Sequence, residues 1–504
     1  MTRNKQLVIN MAASFAAYIV SLGISFFLSP YIVESIGVDA YGFVGLANNF
    51  ISYAGLITIA LNSLAGRFVT IKIYEKDMDG ANRYFSSVFI ANAILTAFMG
   101  LFAVFVLIYL ERFINIPDRI FWDVKLLFAT LFANCLVGTV TSVFTIATFA
   151  TNKLYLNSIR QIESSILRAV LTILLFVIFA PRLCYVGIVA LITGVYVVAF
   201  NVYYTRRLLP DIHIRRSSFD IKAVWELIRS GVWNLIMRLG QLLLDGVDLL
   251  ITNVFINATA MGVLSIAKIV PTAITGIVGT LAGIFSPNFT ILYAEKKKEE
   301  LLAAVKQSMK IMGIITNLPI IVLIVCGQQF FSFWQPTQDA MQLQALSVLT
   351  CSGLIVSGGV NCIFNIFTVV NKLKLNSILV CACGALNAIL VYFLLKTTNL
   401  GLYAVAGVSS ILAIIKNLTV IIPYGAICLE EKWYTFYPAA IRPIIYTACS
   451  CAVALLLIRF LPFSGWLNLI LSGVITGIVA VVIGLYIILS KNDRNYLFSK
   501  LKRG

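Results

Sequence analysis

Long apolar runs recur along the whole sequence, and they constrain the fold more than any other feature. Fourteen runs of about 20 residues are present, and a run of that length crosses the hydrocarbon core of a bilayer as one α-helix. They lie at residues 8–29, 42–65, 86–110, 124–149, 161–181, 184–204, 231–255, 260–286, 311–333, 344–370, 376–396, 400–423, 443–461 and 466–489. Only 12% of the residues are charged, against about 25% in soluble domains. The sequence therefore predicts an all-α polytopic membrane protein and excludes a soluble enzyme.

Basic residues are distributed unevenly between the segments that connect these runs. If both termini are cytoplasmic, the inner segments hold 28 of the 38 Lys and Arg residues, and the other ten lie in the outer segments or within the spans. Cytoplasmic loops of membrane proteins carry such an excess of basic residues. We therefore expect both termini to be cytoplasmic. The charges form no contiguous basic patch, so we expect no nucleic-acid partner.

The sequence offers little support for metal or redox chemistry. Almost all of the ten cysteines lie in apolar runs, where a thiol packs as a small hydrophobic group. The only histidine, His213, lies in a predicted loop, which excludes His-based catalytic triads and His-rich metal sites. We expect neither a metal nor an organic cofactor.

A short sequence occurs twice and reveals an internal repeat. Residues 151–159 read TNKLYLNSI and residues 370–378 read VNKLKLNSI, with seven of nine positions identical. Each copy joins two spans on the predicted cytoplasmic side. Gly42 and Gly262 correspond at nearly the same offset. We predict a six-helix lobe over 1–204, a cytoplasmic connector over 205–230, a second six-helix lobe over 231–430, and two more spans with a basic tail over 431–504. Parallel repeats of this kind are typical of transporters.

The seventh span carries a polar stripe that a lipid-facing helix would not tolerate. Successive spacings of three and four residues place its six polar members on one helical face: Asn234, Arg238, Gln241, Asp245, Asp248 and Thr252. The first span has a milder version at Asn10, Ser14, Tyr18, Ser21 and Ser25. We predict that these two helices line a central cavity.

Lys268 lies in the eighth span at a depth similar to that of Asp245 and Asp248, so a lysine–carboxylate pair is sterically reasonable. Two interpretations stay open. The charges of Arg238, Lys268 and the two aspartates sum to zero, and they could form a self-neutralised network that holds two helices together. Alternatively, they form a site for an anionic head group, a coupling cation, or both, since ionisable groups inside membranes usually mark function.

Two other spans carry polar faces. In the fifth span, Arg168 lies beside Gln161, Ser165 and Thr172, and it either snorkels to the interface or contributes to the cavity. In the tenth span, Asn361 and Asn365 lie on one face with hydroxyl residues, and this pattern suits either helix packing or contacts with a sugar.

Two six-span lobes, two extra helices and the paired turns NKLYLNSI and NKLKLNSI resemble the polysaccharide-transporter branch of the multidrug/oligosaccharidyl-lipid/polysaccharide exporter superfamily. The segment SPYIVESIGVDAYGFVGLANNFISY, residues 29–53, is similar to that branch as well. The resemblance implies a flippase of the bacterial cytoplasmic membrane that moves an undecaprenyl-pyrophosphate-linked oligosaccharide, of the O-antigen or capsule type, to the outer leaflet by alternating access.

The resemblance also implies roles for individual residues. The substrate cavity would use the cations Arg238, Lys268 and Arg168 with the polar groups Asn234, Gln241, Asn361 and Asn365. Many proton-coupled members of the superfamily carry an acid in the first span, but this sequence has none there. If transport is coupled to Na⁺ or H⁺, it would therefore use the carboxylates of Asp245 or Asp248, with the amide of Asn387 on the eleventh span as a further ligand. The expected partners are the lipid-linked oligosaccharide, membrane lipids and a polysaccharide polymerase.

Two transporters of the same superfamily are alternatives to this reading: a cation-coupled multidrug exporter and a flippase for a peptidoglycan lipid precursor. A polymerase or ligase, which is an enzyme, usually needs a large outer loop for its catalytic groups. No predicted outer loop exceeds about 16 residues, so we do not expect an enzyme.

Overall fold

The computed structural model describes residues 3–370, 372–459, 465–490 and 494, and within these ranges the regular elements are all helical. Contacts divide the chain into two compact units, Met1–Ser265 and Ile266–Gly504. The predicted fold class, an all-α polytopic membrane protein, is confirmed. The contact boundary falls at 265, whereas the sequence repeat begins its second copy near 231. The seventh span therefore packs with the first unit.

The helices of the first unit follow the predicted spans, with short breaks. They are α1 (Arg3–Ile36), α2 (Val38–Asn62), α3 (Ala65–Tyr74), α4 (Met78–Ile108), α5 (Leu110–Phe113), α6 (Phe121–Thr141), α7 (Ile146–Ala150), α8 (Leu154–Ile178), α9 (Leu183–Leu208), α10 (Ile221–Asp245), α11 (Asp248–Phe255) and α12 (Ala258–Ala267). The last two residues of α12 belong to the second unit.

In the described part of the second unit, ten further helices are present. They are α13 (Ile269–Gly283), α14 (Ser286–Ala294), α15 (Lys298–Trp334), α16 (Ala340–Ser352), α17 (Leu354–Val369), α18 (Leu373–Thr397), α19 (Leu402–Lys416), α20 (Ile422–Cys428), α21 (Tyr437–Ile458) and α22 (Gly465–Ile487). A π-helical turn, Asn417–Ile421, joins α19 to α20. The two helices predicted beyond the repeat are α21 and α22, and both pack against α15.

Among the described residues, thirteen helices are long and apolar enough to cross a membrane, against fourteen predicted spans. The difference lies in the seventh span, where α10 and α11 carry the charged stripe and are interrupted between Asp245 and Asp248. The predicted eighth span is also divided, because α12 and α13 are separated at Lys268. Polar residues thus reduce both the apolarity and the continuity of these two segments.

The turns of the internal repeat have matching backbone geometry. Lys153 and Lys372 precede α8 and α18, and the N–H of each donates to the carbonyl five residues earlier at 2.8 Å. A second pair was not found in the sequence: Lys76 and Lys296 both have a positive φ, 60° and 57°. In each case the following N–H donates to the carbonyl five residues earlier at 3.0 Å. Left-handed residues at this position end helices, so both copies stop their helices in the same way.

Asn10, Ser14 and Ser21 of the first-span stripe are used for packing, which corrects their predicted role in a cavity wall. Ser14 and Ser158 are joined by a hydroxyl–hydroxyl hydrogen bond of 3.1 Å, and Ser21 and Ser165 by one of 2.7 Å. The seven-residue spacing in both helices keeps these pairs in one seam between α1 and α8. Small polar residues of this kind bring membrane helices close together.

Asn10 ends the same seam at the repeat turn. Its amide Nδ2 donates to both the carbonyl and the side-chain oxygen of Asn152 at 2.9 Å, and its Oδ1 accepts from the N–H of Tyr155 at 3.1 Å. Asn152 is left-handed, with φ 55°. Asn10 thus holds the turn that carries the repeated sequence.

Glycine contacts bring α2 against α12. A Cβ atom placed on Gly42 would lie 2.8 Å from the Cα of Gly262, and one placed on Gly45 would lie 2.6 Å from the Oγ of Ser265. Both distances are too short for a real Cβ atom, so the contact requires glycine at Gly42 and Gly45. Each residue in these two pairs contacts the residue 220 positions away, which is its counterpart in the repeat.

Candidate functional site

The seventh span is broken near its middle. Helix α10 ends at Asp245 and α11 begins at Asp248, with Gly246 and Val247 between them. The phenolic hydroxyl of Tyr53, on α2, donates to the carbonyl of Gly246 at 2.6 Å. Interrupted helices leave backbone groups without their intrahelical partners, and Tyr53 satisfies one of them. In transporters, such discontinuous helices form substrate and ion sites.

The break divides the predicted polar stripe into two parts. Asn234 is half-buried, and Arg238, Gln241 and Asp245 are exposed on α10. Beyond the break, Asp248 is 3% exposed and Thr252 is completely buried. The accessible part of the stripe is therefore confined to α10.

Three side chains of this accessible part are available to a ligand. Within the residues that the structure describes, no hydrogen bond or ion pair occupies the side chain of Asn234, Arg238 or Gln241. A guanidinium offers five N–H donors and each amide offers two donors and an acceptor. Such a surface suits phosphate oxygens, which accept from guanidinium in a bidentate manner, and sugar hydroxyls, which pair with amides. We name these three residues the donor stripe.

A glycine positions α10. A Cβ atom on Gly231 would lie 2.0 Å from the carbonyl oxygen of Ala60 and 2.8 Å from the Oγ of Ser63. Only glycine allows the backbones of α10 and α2 to approach so closely. This contact and the Tyr53 hydrogen bond attach α10 to α2 at two heights, below and above the donor stripe.

The predicted cations and acids do not all lie in one unit. Arg168, Arg238, Asp245 and Asp248 belong to the first unit, and Lys268, half-buried between α12 and α13, belongs to the second. The predicted pair between Lys268 and a carboxylate stays a prediction. Arg168 is exposed on α8, next to the seam formed by Ser165.

The predicted polar residues of the second unit differ in accessibility. Asn365 donates from Nδ2 to the carbonyl of Ala282 at 2.9 Å, near the end of α13, so its amide supports a helix end. Asn361, one turn earlier on α17, is half-buried. Asn387, on α18, is completely buried. Their predicted contacts with sugar or a cation stay predictions.

Neither Tyr53 nor the helix break was predicted from the sequence. The dipeptide Asp245–Gly246 is a turn signal and could have revealed the break. No signal identifies Tyr53, because its partner lies 193 residues away.

The chain is similar to several known membrane proteins. A family model described as "Polysaccharide biosynthesis protein" matches residues 7–292. The uncharacterized membrane protein EpsK of Bacillus subtilis (strain 168) is 26% identical over 505 residues, which cover 99% of this chain and 98% of EpsK.

Solved structures share the fold. The lipid II flippase MurJ in an inward closed conformation has a TM-score of 0.69 at 15% identity, over 95% of this chain and 99% of that chain. An inward-facing multidrug resistance MATE family transporter of the MOP superfamily has a TM-score of 0.62 at 16% identity, over 84% and 98%. These structural similarities confirm the predicted fold, and the family match confirms the resemblance to polysaccharide biosynthesis proteins. The first twelve predicted spans end near residue 430, so the match to MurJ extends into the two C-terminal helices.

Proposed function

The chain belongs to the polysaccharide biosynthesis protein family, and from this premise we propose that it is a flippase for an undecaprenyl-pyrophosphate-linked oligosaccharide. It would bind this lipid at the inner leaflet of the bacterial cytoplasmic membrane and release it at the outer leaflet, by alternating access, for synthesis of a surface polysaccharide. Both termini would be cytoplasmic.

The donor stripe is the observation that carries this proposal. An arginine within a membrane helix is costly, up to about 2.5–3.5 kcal/mol on insertion scales when it lies at the centre, and Arg238 has no carboxylate partner among the described residues. A diphosphate would supply the missing counter-charge. Asn234 and Gln241 flank the guanidinium by one turn on either side, where they would meet the first sugars.

Further polar groups would complete the site. Lys268 and Arg168 would add cations for the diphosphate, and Asn361 and Asn365 would contact sugar hydroxyls. Coupling to Na⁺ or H⁺ would use Asp245 or Asp248, with Asn387 as an additional oxygen ligand. The polyprenyl chain would remain in the bilayer, because transferring it into a polar cavity would lose its hydrophobic stabilisation. The substrate is moved without chemical change, so no catalytic group is assigned.

The experiment is a translocation assay with the purified protein in lipid vesicles. A polyprenyl-diphosphate oligosaccharide with a labelled terminal sugar is added to one leaflet, and the label that becomes accessible to a glycosidase on the other side is measured. We expect protein-dependent translocation of this lipid. Translocation of lipid II or of a cationic drug, without translocation of the oligosaccharide lipid, would contradict the proposal. It would favour one of the two alternative transporters.

A further inference from the structure

A cleft of about 460 Å³ lies at the beginning of α10, outside the donor stripe. It is lined by Ile221, Lys222, Trp225, Glu226, Arg229 and Ser230. Its volume is within the usual range for small-molecule sites. Arg229 and Arg238 are nine residues apart, which at 100° per residue places them on opposite sides of the helix. The cleft is therefore a separate surface.

Two cations of the cleft face the same way. Lys222 and Arg229 are seven residues apart, close to two helical turns, or about 10.5 Å along the axis. Both are exposed, and neither has an ion-pair partner in the described part of the chain. The one carboxylate in the cleft, Glu226, accepts a hydrogen bond from the hydroxyl of Tyr84 at 2.6 Å. With two cations and one anion, the cleft has a net positive charge.

Two large apolar side chains lie beside these cations. Ile221 is 65% exposed and Trp225 is 67% exposed. Tryptophan is enriched where a membrane meets water, because its ring is apolar and its N–H is polar. A helix start that exposes both basic and apolar side chains is typical of a segment that lies in the lipid interface.

The connector before the cleft has a fixed path. On α4, the Oδ1 of Asn82 accepts from the N–H of His213 at 2.7 Å. The Oγ of Ser86 accepts from the N–H of Arg215 at 3.1 Å, and the Oγ of Ser87 accepts from the N–H of Asp220 at 2.9 Å. These bonds hold the connector backbone, so the surface that follows it is presented in one orientation.

We propose that this cleft binds the phosphate of an anionic phospholipid in the cytoplasmic leaflet. Lys222 and Arg229 pair with the phosphate and the headgroup, and Trp225 and Ile221 contact the glycerol region and the first methylenes. Charge complementarity favours an anionic lipid over a zwitterionic one, because a basic residue near an anionic leaflet gains about 1 kcal/mol. Lipid binding here does not depend on which substrate is transported, since the cleft lies on a different face of α10 from the donor stripe.

The test uses the full-length protein in nanodiscs with phospholipids whose acyl chains carry bromine, which quenches nearby tryptophan. The Trp225 signal is the difference between the wild type and Trp225→Phe. We expect half-maximal quenching at a several-fold lower fraction of brominated phosphatidylglycerol than of brominated phosphatidylcholine. Lys222→Gln with Arg229→Gln should remove this preference, because both cations that pair with the anionic lipid are lost.

The matched control is Arg206→Gln with Arg207→Gln, which removes the same charge from the same connector but leaves the cleft intact. It should retain the preference for phosphatidylglycerol. An equal loss in both double variants would show diffuse attraction only and overturn the site. A preference that survives in the Lys222/Arg229 variant, or that is absent from the wild type, would also overturn it, and would favour a protein partner for this surface.

Discussion

The polar stripes of the first and seventh spans occupy equivalent positions in the repeat but have different surroundings. Ser14 and Ser21 of α1 pair with hydroxyls of α8, whereas their counterparts at an offset of 220, Asn234 and Gln241 of α10, have no partner among the described residues. Helical periodicity is the same in both. The comparison shows that a polar stripe identifies a face that avoids lipid, and that only its partners decide between packing and ligand binding.

The two stripes also differ in side-chain size, since that of α1 contains serines and that of α10 contains arginine and amide side chains. A serine hydroxyl reaches little beyond its own helix, so two serines bond only when their helices are close. Guanidinium and amide groups on longer side chains reach further into an open space. The stripe of α1 is therefore suited to a seam, and that of α10 to a ligand.

The largest expected effect is at Arg238. Arg238→Gln should reduce translocation of the diphosphate lipid at least tenfold, because hydrogen bonds to charged groups contribute about 1.5–3 kcal/mol. Arg238→Lys should retain part of the activity, since it keeps the charge but loses bidentate geometry. Both variants should be present in the membrane in normal amounts. Full translocation by Arg238→Gln would remove the donor stripe from the substrate site.

Asn10 and Asn234 offer a direct contrast between the stripes. Asn10→Ala should lower the free energy of unfolding by about 1–3 kcal/mol, because it leaves the groups of Asn152 and Tyr155 without their partner. Asn234→Ala should change it by no more than about 0.5 kcal/mol. Thermal unfolding in detergent measures both. Equal destabilisation by the two variants would contradict the distinction between a packed and an open stripe.

Tyr53→Phe tests the break in the seventh span. Removing the hydroxyl should weaken the local structure by about 1 kcal/mol, and hydrogen exchange of the amides from 246 to 249 should become faster. Amides in α8 serve as an internal reference. Unchanged exchange around Gly246 would mean that the hydroxyl does not support the break.

The smallest effect concerns the seam. A double-mutant cycle with Ser21→Ala and Ser165→Ala should give a coupling energy of about 0.6 kcal/mol, the average for hydrogen bonds between membrane helices. Ser21→Ala alone should leave translocation unchanged, whereas Gln241→Ala, at the equivalent position, should reduce it. Equal transport defects would indicate that both stripes contact the substrate.

Hydropathy predicted the helices because a segment that crosses lipid must satisfy its backbone hydrogen bonds internally, and an α-helix does so. Each long apolar run therefore corresponds to a helix. The repeat followed from one short identity, and it anticipated the matching turns at Lys153 and Lys372. The break after Asp245 was missed because the span was treated as one continuous run. Long α15 begins at Lys298, well before the predicted 311, because its amphipathic first turns lie outside any apolar window.

The site was less accessible to sequence reasoning than the fold. Residue spacing correctly placed the three donor-stripe residues on one face of α10. It also placed the polar residues of α1 on one face, and so predicted a cavity wall for both helices. The partners that distinguish them lie 142 to 145 residues away, and a single sequence contains no record of such contacts. Burial of Asp248 next to exposed Asp245 depends on the break and was equally invisible.

The glycine contact between α2 and α12 behaves like a two-fold dimer interface within one chain. In an isologous interface the same patch of both copies takes part, and here residues meet their own counterparts, as Gly42 meets Gly262 and Gly45 meets Ser265. A side chain added at Gly42 and at Gly262 would therefore collide with its own counterpart. Because Gly42 and Gly262 contact each other, the size of the residue allowed at one position depends on the size of the residue at the other.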